Sequence, residues 1–106
     1  MVMGPKTELV LERKTQTADG QGGYIESWQD LRKIRGILVP LKGLERMITG
    51  KTEVFATHKF FMDYPKDLTI TEKDRFILGT REFEIKFIAD PAEQHIHLEI
   101  ELWEVT

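Results

Sequence analysis

His95 and His97 stand two positions apart, so on an extended strand their imidazoles share a face and lie close enough to hold one metal ion, with Glu99 and Glu101 continuing that face as oxygen ligands. The same spacing describes the polar side of any half-exposed strand. With no cysteine in the chain and only His58 besides, that plainer reading is the stronger, and no metal or other cofactor is expected. Gly50-Lys51-Thr52 has the ending of a phosphate-binding loop, but that motif requires a glycine five positions before the second one, and position 45 is Glu. Gly43 is two residues too far away, and no strand leads into a helix of useful length there. Glu82, Glu84, Glu99 and Glu101 alternate outward with lysine and histidine nearby, as a solvated sheet face does. Ser27 is the only serine and lies in no G-x-S-x-G turn. No nucleophile, acid and base converge in this pattern, so the chain is not expected to be an enzyme.

Binding of nucleic acid is disfavoured as well. Lys and Arg number 15 against 18 Asp and Glu, and a net charge of −3 is the wrong sign for holding phosphates tightly. Arg32, Lys33 and Arg35 form a basic cluster beside Asp30, a common way to protect a strand edge from unwanted pairing. The aromatic rings fall mostly on apolar faces rather than among exposed cations, so no stacking platform for bases is expected.

The elements that position these residues are strands, because alternation of apolar and polar residues is the dominant local signal. Leu9 and Leu11 oppose Glu8 and Glu12 in a first strand over residues 7–14, and residues 17–23, with Asp19-Gly20 and Gly22-Gly23, supply the positive-φ positions of a hairpin. A second strand starts at Tyr24, with Tyr24 and Trp28 on one face. It is interrupted at Gln29 and Asp30, resumes from Leu31 to Val39 and ends at Pro40. Residues 41–53 read differently. Leu44, Met47 and Ile48 follow helical spacing and Gly50 suits a helix stop, giving a short helix or mobile loop that needs a partner to order it. Residues 54–64 return to strand, with Phe60, Met62 and Tyr64 on one face and Phe55 and Phe61 on the other. Leu68 and Ile70 suggest a short strand before a turn at residues 71–74.

Residues 75–78 and 81–88 around Gly79-Thr80 form the clearest hairpin, with Phe83, Ile85 and Phe87 facing in. In the last strand Ile96, Leu98, Ile100 and Leu102 alternate with His95, His97, Glu99 and Glu101. The phase then slips so that Trp103 and Val105 become the apolar pair, with Trp103 a buried ring. The sum is an all-β fold, a small β-barrel or sandwich of about six antiparallel strands with one short helix or mobile loop. At 106 residues, with 41% hydrophobic and 31% charged residues, the chain fits one soluble domain. The N-terminal residues lack the apolar run of a secretory signal, and no stretch approaches a membrane span, so synthesis in the cytoplasm and no membrane partner are expected.

The order of these features resembles the phage head-tail joining family, also called head closure, head completion or stopper proteins. The resemblance runs through Glu12-Arg13, Asp19-Gly20-Gln21-Gly22-Gly23, Trp28, Val39-Pro40-Leu41-Lys42-Gly43 and the Glu45-containing piece. It continues through His58 to Tyr64, Asp74-Arg75-Phe76, the hairpin Gly79-Thr80-Arg81-Glu82-Phe83-Glu84-Ile85, and Ile88-Ala89-Asp90. Met62 stands where many members carry arginine. The resemblance implies a β-barrel subunit in the virion neck, forming a dodecameric ring under the portal or adaptor ring, joining tail proteins, and letting double-stranded DNA pass without sequence-specific binding. It also implies a channel segment that closes the path after packaging. In this chain that segment is Leu41, Lys42, Gly43, Leu44, Glu45, Arg46, Met47, Ile48, Thr49, Gly50, Lys51, Thr52 and Glu53. Two other readings remain open: a different neck or tail-terminator subunit, and an unrelated small β-barrel that binds a ligand or peptide.

Overall fold

The computed structural model describes residues 6–41 and 56–105. Six antiparallel strands, β1 (Thr7–Ala18), β2 (Tyr24–Pro40), β3 (His58–Asp63), β4 (Arg75–Leu78), β5 (Arg81–Ala89) and β6 (His97–Val105), close into a barrel in the order β1-β2-β3-β6-β5-β4. Of the two expected architectures, barrel and sandwich, the barrel is the one formed. Its interior is filled from every strand, by Leu9 and Leu11, Ile34, Phe60 and Met62, Phe76, Phe83 and Ile85, and Leu98, Ile100 and Leu102. Phe60 and Phe76 meet across it with ring centroids 5.3 Å apart. Leu68 and Ile70 add to this core from irregular chain, so the short strand expected there is absent and the two side chains serve as a plug instead.

The longest strands outrun the barrel. β2 pairs with β3 only from Ile37 to Pro40, and β1 with β4 only from Val10 to Glu12, so the β1–β2 hairpin beyond Glu12 and Asp30 is a two-stranded arm. Its turn is fixed by Gly20 (φ 82°) and Gly22 (φ 88°), and by Asp19 Oδ1, which accepts the N–H groups of Gln21 and Gly23 at 2.7 and 3.0 Å.

Two bulges explain where simple alternation misleads. Leu11 pairs with Arg32 and Glu12 with Asp30, which leaves Leu31 without a partner, so β2 continues unbroken through Gln29 and Asp30 with its phase reversed. Trp28 and Ile34 have the same parity in sequence, yet Ile34 enters the core while Trp28, across from Lys14, faces out. On β5, Ile85 pairs with Leu102 and Phe87 with Glu101, leaving Lys86 over. Phe87, expected inside, is therefore turned to solvent at 45% exposure, and Ile88 packs against the core in its place. β6 itself keeps its phase. Trp103 and Val105 lie outside, each 38% exposed, so neither the slip nor the buried ring expected there is found. Ile96 precedes the strand and is 63% exposed. Of the stretch expected to be helical or mobile, Leu41 is described and residues 42–53 lie outside the described residues, as do Val54 and Phe55 of the expected third strand.

Candidate functional site

At the barrel end where β2 leaves and β3 begins, the chain that departs at Leu41 and returns at Ala56 is held at both points. Both residues are buried, and the Leu41 N–H donates to the Thr57 carbonyl at 2.9 Å. Thr57 is the hub of this collar. Its N–H donates to the Leu102 carbonyl at 2.8 Å and its hydroxyl oxygen accepts the Glu104 N–H at 2.7 Å, so the returning chain is tied to β6. His58 Nδ1 lies 2.9 Å from the same hydroxyl, and its ring meets Phe83 edge-on at 5.1 Å.

Arg81 and Glu104 close the collar with a two-pronged pair at 2.9 and 3.0 Å. The Arg81 hydrogen bond is the main reason that the Glu104 carboxyl sits below the usual carboxylate range, with burial opposing and the charges of Arg81 and His58 assisting. Arg81 shares the inward parity of Phe83 and Ile85, and Glu104 that of Leu98, Ile100 and Leu102. A charged residue continuing an apolar face therefore marks where that face reaches the barrel rim. Sequence reasoning passed over Thr57, His58, Arg81 and Glu104 as site residues, although this parity was available for the last two.

The opposite end is closed by the same device. Arg13, in phase with Leu9 and Leu11, holds Asp74 through Nε and a terminal nitrogen at 2.9 Å each, and also donates to the Thr69 carbonyl at 2.6 Å. The Thr71 N–H donates to the second Asp74 oxygen at 2.9 Å. Burial works to raise the Asp74 carboxyl, but Arg13 and Thr71 together hold it below its ordinary value.

The other singled-out residues do not converge. His95 lies before β6 at φ 56°, paired with Asp90 at 2.5 Å and against the Tyr64 ring, so it does not share a strand face with His97. His97 pairs with Glu99 at 3.4 Å. Glu101, read as solvated, is covered to 9% exposure, and burial raises its carboxyl against the lowering effect of Lys59. Among the described residues no three His, Asp or Glu side chains gather into a metal-binding group. Arg32 is engaged with Asp67 at 2.8 and 3.1 Å. Arg75 bridges Glu12 and Glu82 at 2.8 and 3.1 Å and lies 4.0 Å from the Trp28 ring centre, which covers that outward ring. Gly50, Lys51 and Thr52 lie outside the described residues. The collar is a mechanical clamp on the strand ends that carry the 42–55 connection.

Similar folds occur in solved structures. A chain in the virion of a native gene transfer agent particle is 23% identical, with a TM-score of 0.64, and the match covers 93% of this chain and 94% of that one. Protein SF1141 from Shigella flexneri 2a, a solution structure, is also 23% identical, with a TM-score of 0.73 and coverage of 92% and 89%. At that identity the likeness speaks for the fold. No curated protein matches the sequence. The family model of the phage head completion proteins does match, over residues 6–105, from the start of β1 through the collar to the end of β6, and on that footing the chain belongs to the phage head completion family.

Proposed function

We propose that the protein is a head-closure subunit that forms a dodecameric ring under the portal or adaptor ring of a tailed phage. In this reading the ring receives the tail proteins, and residues 41–53 face the channel to hold the packaged DNA. Family membership supports the place between head and tail. The observation that carries the channel role is the collar. Leu41 and Thr57 are hydrogen-bonded to each other at the barrel end, so the connection leaves and rejoins the barrel at one closed point. A segment attached in that way is suited to a task outside its own subunit. The net charge of −3 suits a wall along which DNA slides without being held.

The test is to incubate the protein with purified portal rings of the same phage and image the product. A ring added coaxially at the portal's outer end is expected. Binding only at the end of isolated tail tubes would replace this reading with that of a tail terminator.

A further inference from the structure

On the outer face formed by β3, β6 and β5, the charged side chains around Glu101 are already engaged with one another. Lys59 holds Glu99 at 3.5 Å, His97 lies 3.4 Å from Glu99, and Lys86 holds Glu84 at 2.9 Å. Glu101 differs from them. It makes no hydrogen bond and no ion pair among the described residues, and Lys59 acts on it only as a nearby charge. The residue is covered to 9% exposure, yet its carboxylate oxygens are not sealed off, since no buried side-chain oxygen among the described residues lacks a partner. Its surroundings are largely apolar. Phe87 stands across from it on β5 and Lys59 on β3, with Val39 beyond Lys59 on β2, and Trp103 is the next outward residue along β6. Phe87 and Trp103 are 45% and 38% exposed, so an unpaired carboxylate lies beside two rings that remain partly in water.

We propose that this face is a docking site for a partner protein that seats an arginine between Phe87 and Trp103, with its guanidinium on the Glu101 carboxylate. A carboxylate drawn out of water without a hydrogen-bonded cation costs stability, and burial accordingly pushes the Glu101 carboxyl up. A cation arriving from outside removes that cost, so the relief appears as binding free energy. Arginine suits the site better than lysine. Its planar, weakly hydrated guanidinium stacks on ring faces while donating two parallel N–H groups to a carboxylate, whereas an ammonium is a compact and strongly hydrated point charge. Arginine and aromatic rings packed together are also the groups that carry most of the energy in protein interfaces. Val39 and Phe61, half-buried on the same outer face, offer apolar contact to the residues that flank the arginine. The inference does not depend on the ring reading above and survives or fails apart from it.

The test is a nuclear magnetic resonance titration of the isotope-labelled protein at constant ionic strength, following the Glu101 carboxyl carbon and the Trp103 indole N–H. Three probes are used: acetyl-Leu-Arg-Leu-amide, acetyl-Leu-Lys-Leu-amide and methylguanidinium. The arginine peptide is expected to shift both signals saturably, with the lysine peptide and methylguanidinium each binding about tenfold more weakly. Glu101→Gln should abolish the response. Phe87→Ala, at an exposed position, should weaken it should the first variant fold poorly, and Glu84→Gln, whose carboxylate is already held by Lys86, should leave it unchanged. A response that does not saturate, or that persists in Glu101→Gln, overturns the site. Equal binding of the lysine peptide overturns the choice of arginine, and equal binding of methylguanidinium makes the ligand a small cation rather than a protein segment. Shifts of the same two signals with protein concentration alone would make the occupant a second copy of this chain and overturn the partner proposed.

Discussion

Asp74 and Glu101 are carboxylates that the barrel withdraws from water, and they bear on stability in opposite directions. Arg13 and the Thr71 N–H outweigh burial at Asp74, so its folded pKa lies below the unfolded one near 3.8. Its contribution is present above that value and is lost as pH falls through the folded pKa. Asp74→Asn should therefore cost about 2 to 3 kcal/mol at neutral pH by urea denaturation, with the gap to the parent narrowing in acid. At Glu101, burial outweighs Lys59 and the folded pKa is raised. The folded state then holds the proton more tightly, and stability declines as pH rises from the unfolded value of 4.5 through the folded one. Glu101→Gln should accordingly be neutral at pH 4 and stabilising by about 1 kcal/mol or less at pH 7. A loss of stability at pH 7 would show that the Lys59 attraction dominates instead. Neither environment was legible beforehand. Asp74 read as a turn residue, and Glu101 has the parity of a solvent-facing position but is covered by its neighbours on adjoining strands, which one sequence does not show.

Elements were legible where local chemistry decided them. The β4–β5 hairpin follows from Gly79, whose φ is 62°, and from strict alternation on both sides, while β1 and the Asp19 turn follow from the same rules. What escaped were the bulges at Leu31 and Lys86, since an extra residue in one strand is defined only by its partner strand, and each bulge reversed the side on which Trp28 or Phe87 falls. Trp103 misled for a related reason. Its aromatic character suggested core, but it keeps the outward phase of β6 and remains partly in water. The join between β2 and β3 depends on a residue with no side chain. A Cβ at Gly36 would stand 2.3 Å from the Phe61 carbonyl oxygen and 2.7 Å from the Phe60 ring, and the backbone contact cannot be relieved by a rotamer change. Gly36→Ala should therefore cost about 3 kcal/mol, read as a lowered urea midpoint with an unchanged slope. An unaffected midpoint would mean that β2 and β3 separate readily there.

At the scale of the whole molecule, the barrel with its arm is an elongated body of 51 × 31 × 28 Å whose two ends are closed by ion pairs, Arg13 with Asp74 and Arg81 with Glu104. The proposed head-closure role makes a division of labour. In that proposal the barrel would build the ring and residues 41–53 would meet the DNA. Deleting residues 43–51 and joining the ends with a short glycine linker should leave the barrel folded, because closure entropy changes slowly with loop length and the collar hydrogen bonds are made by residues outside the deletion. The decisive measurement is the DNA content of capsids assembled with this deleted subunit, taken before tails are added. The deleted ring is expected to add to portal while the genome leaks out. Full retention of DNA by capsids that demonstrably carry the deleted ring would contradict the closure role.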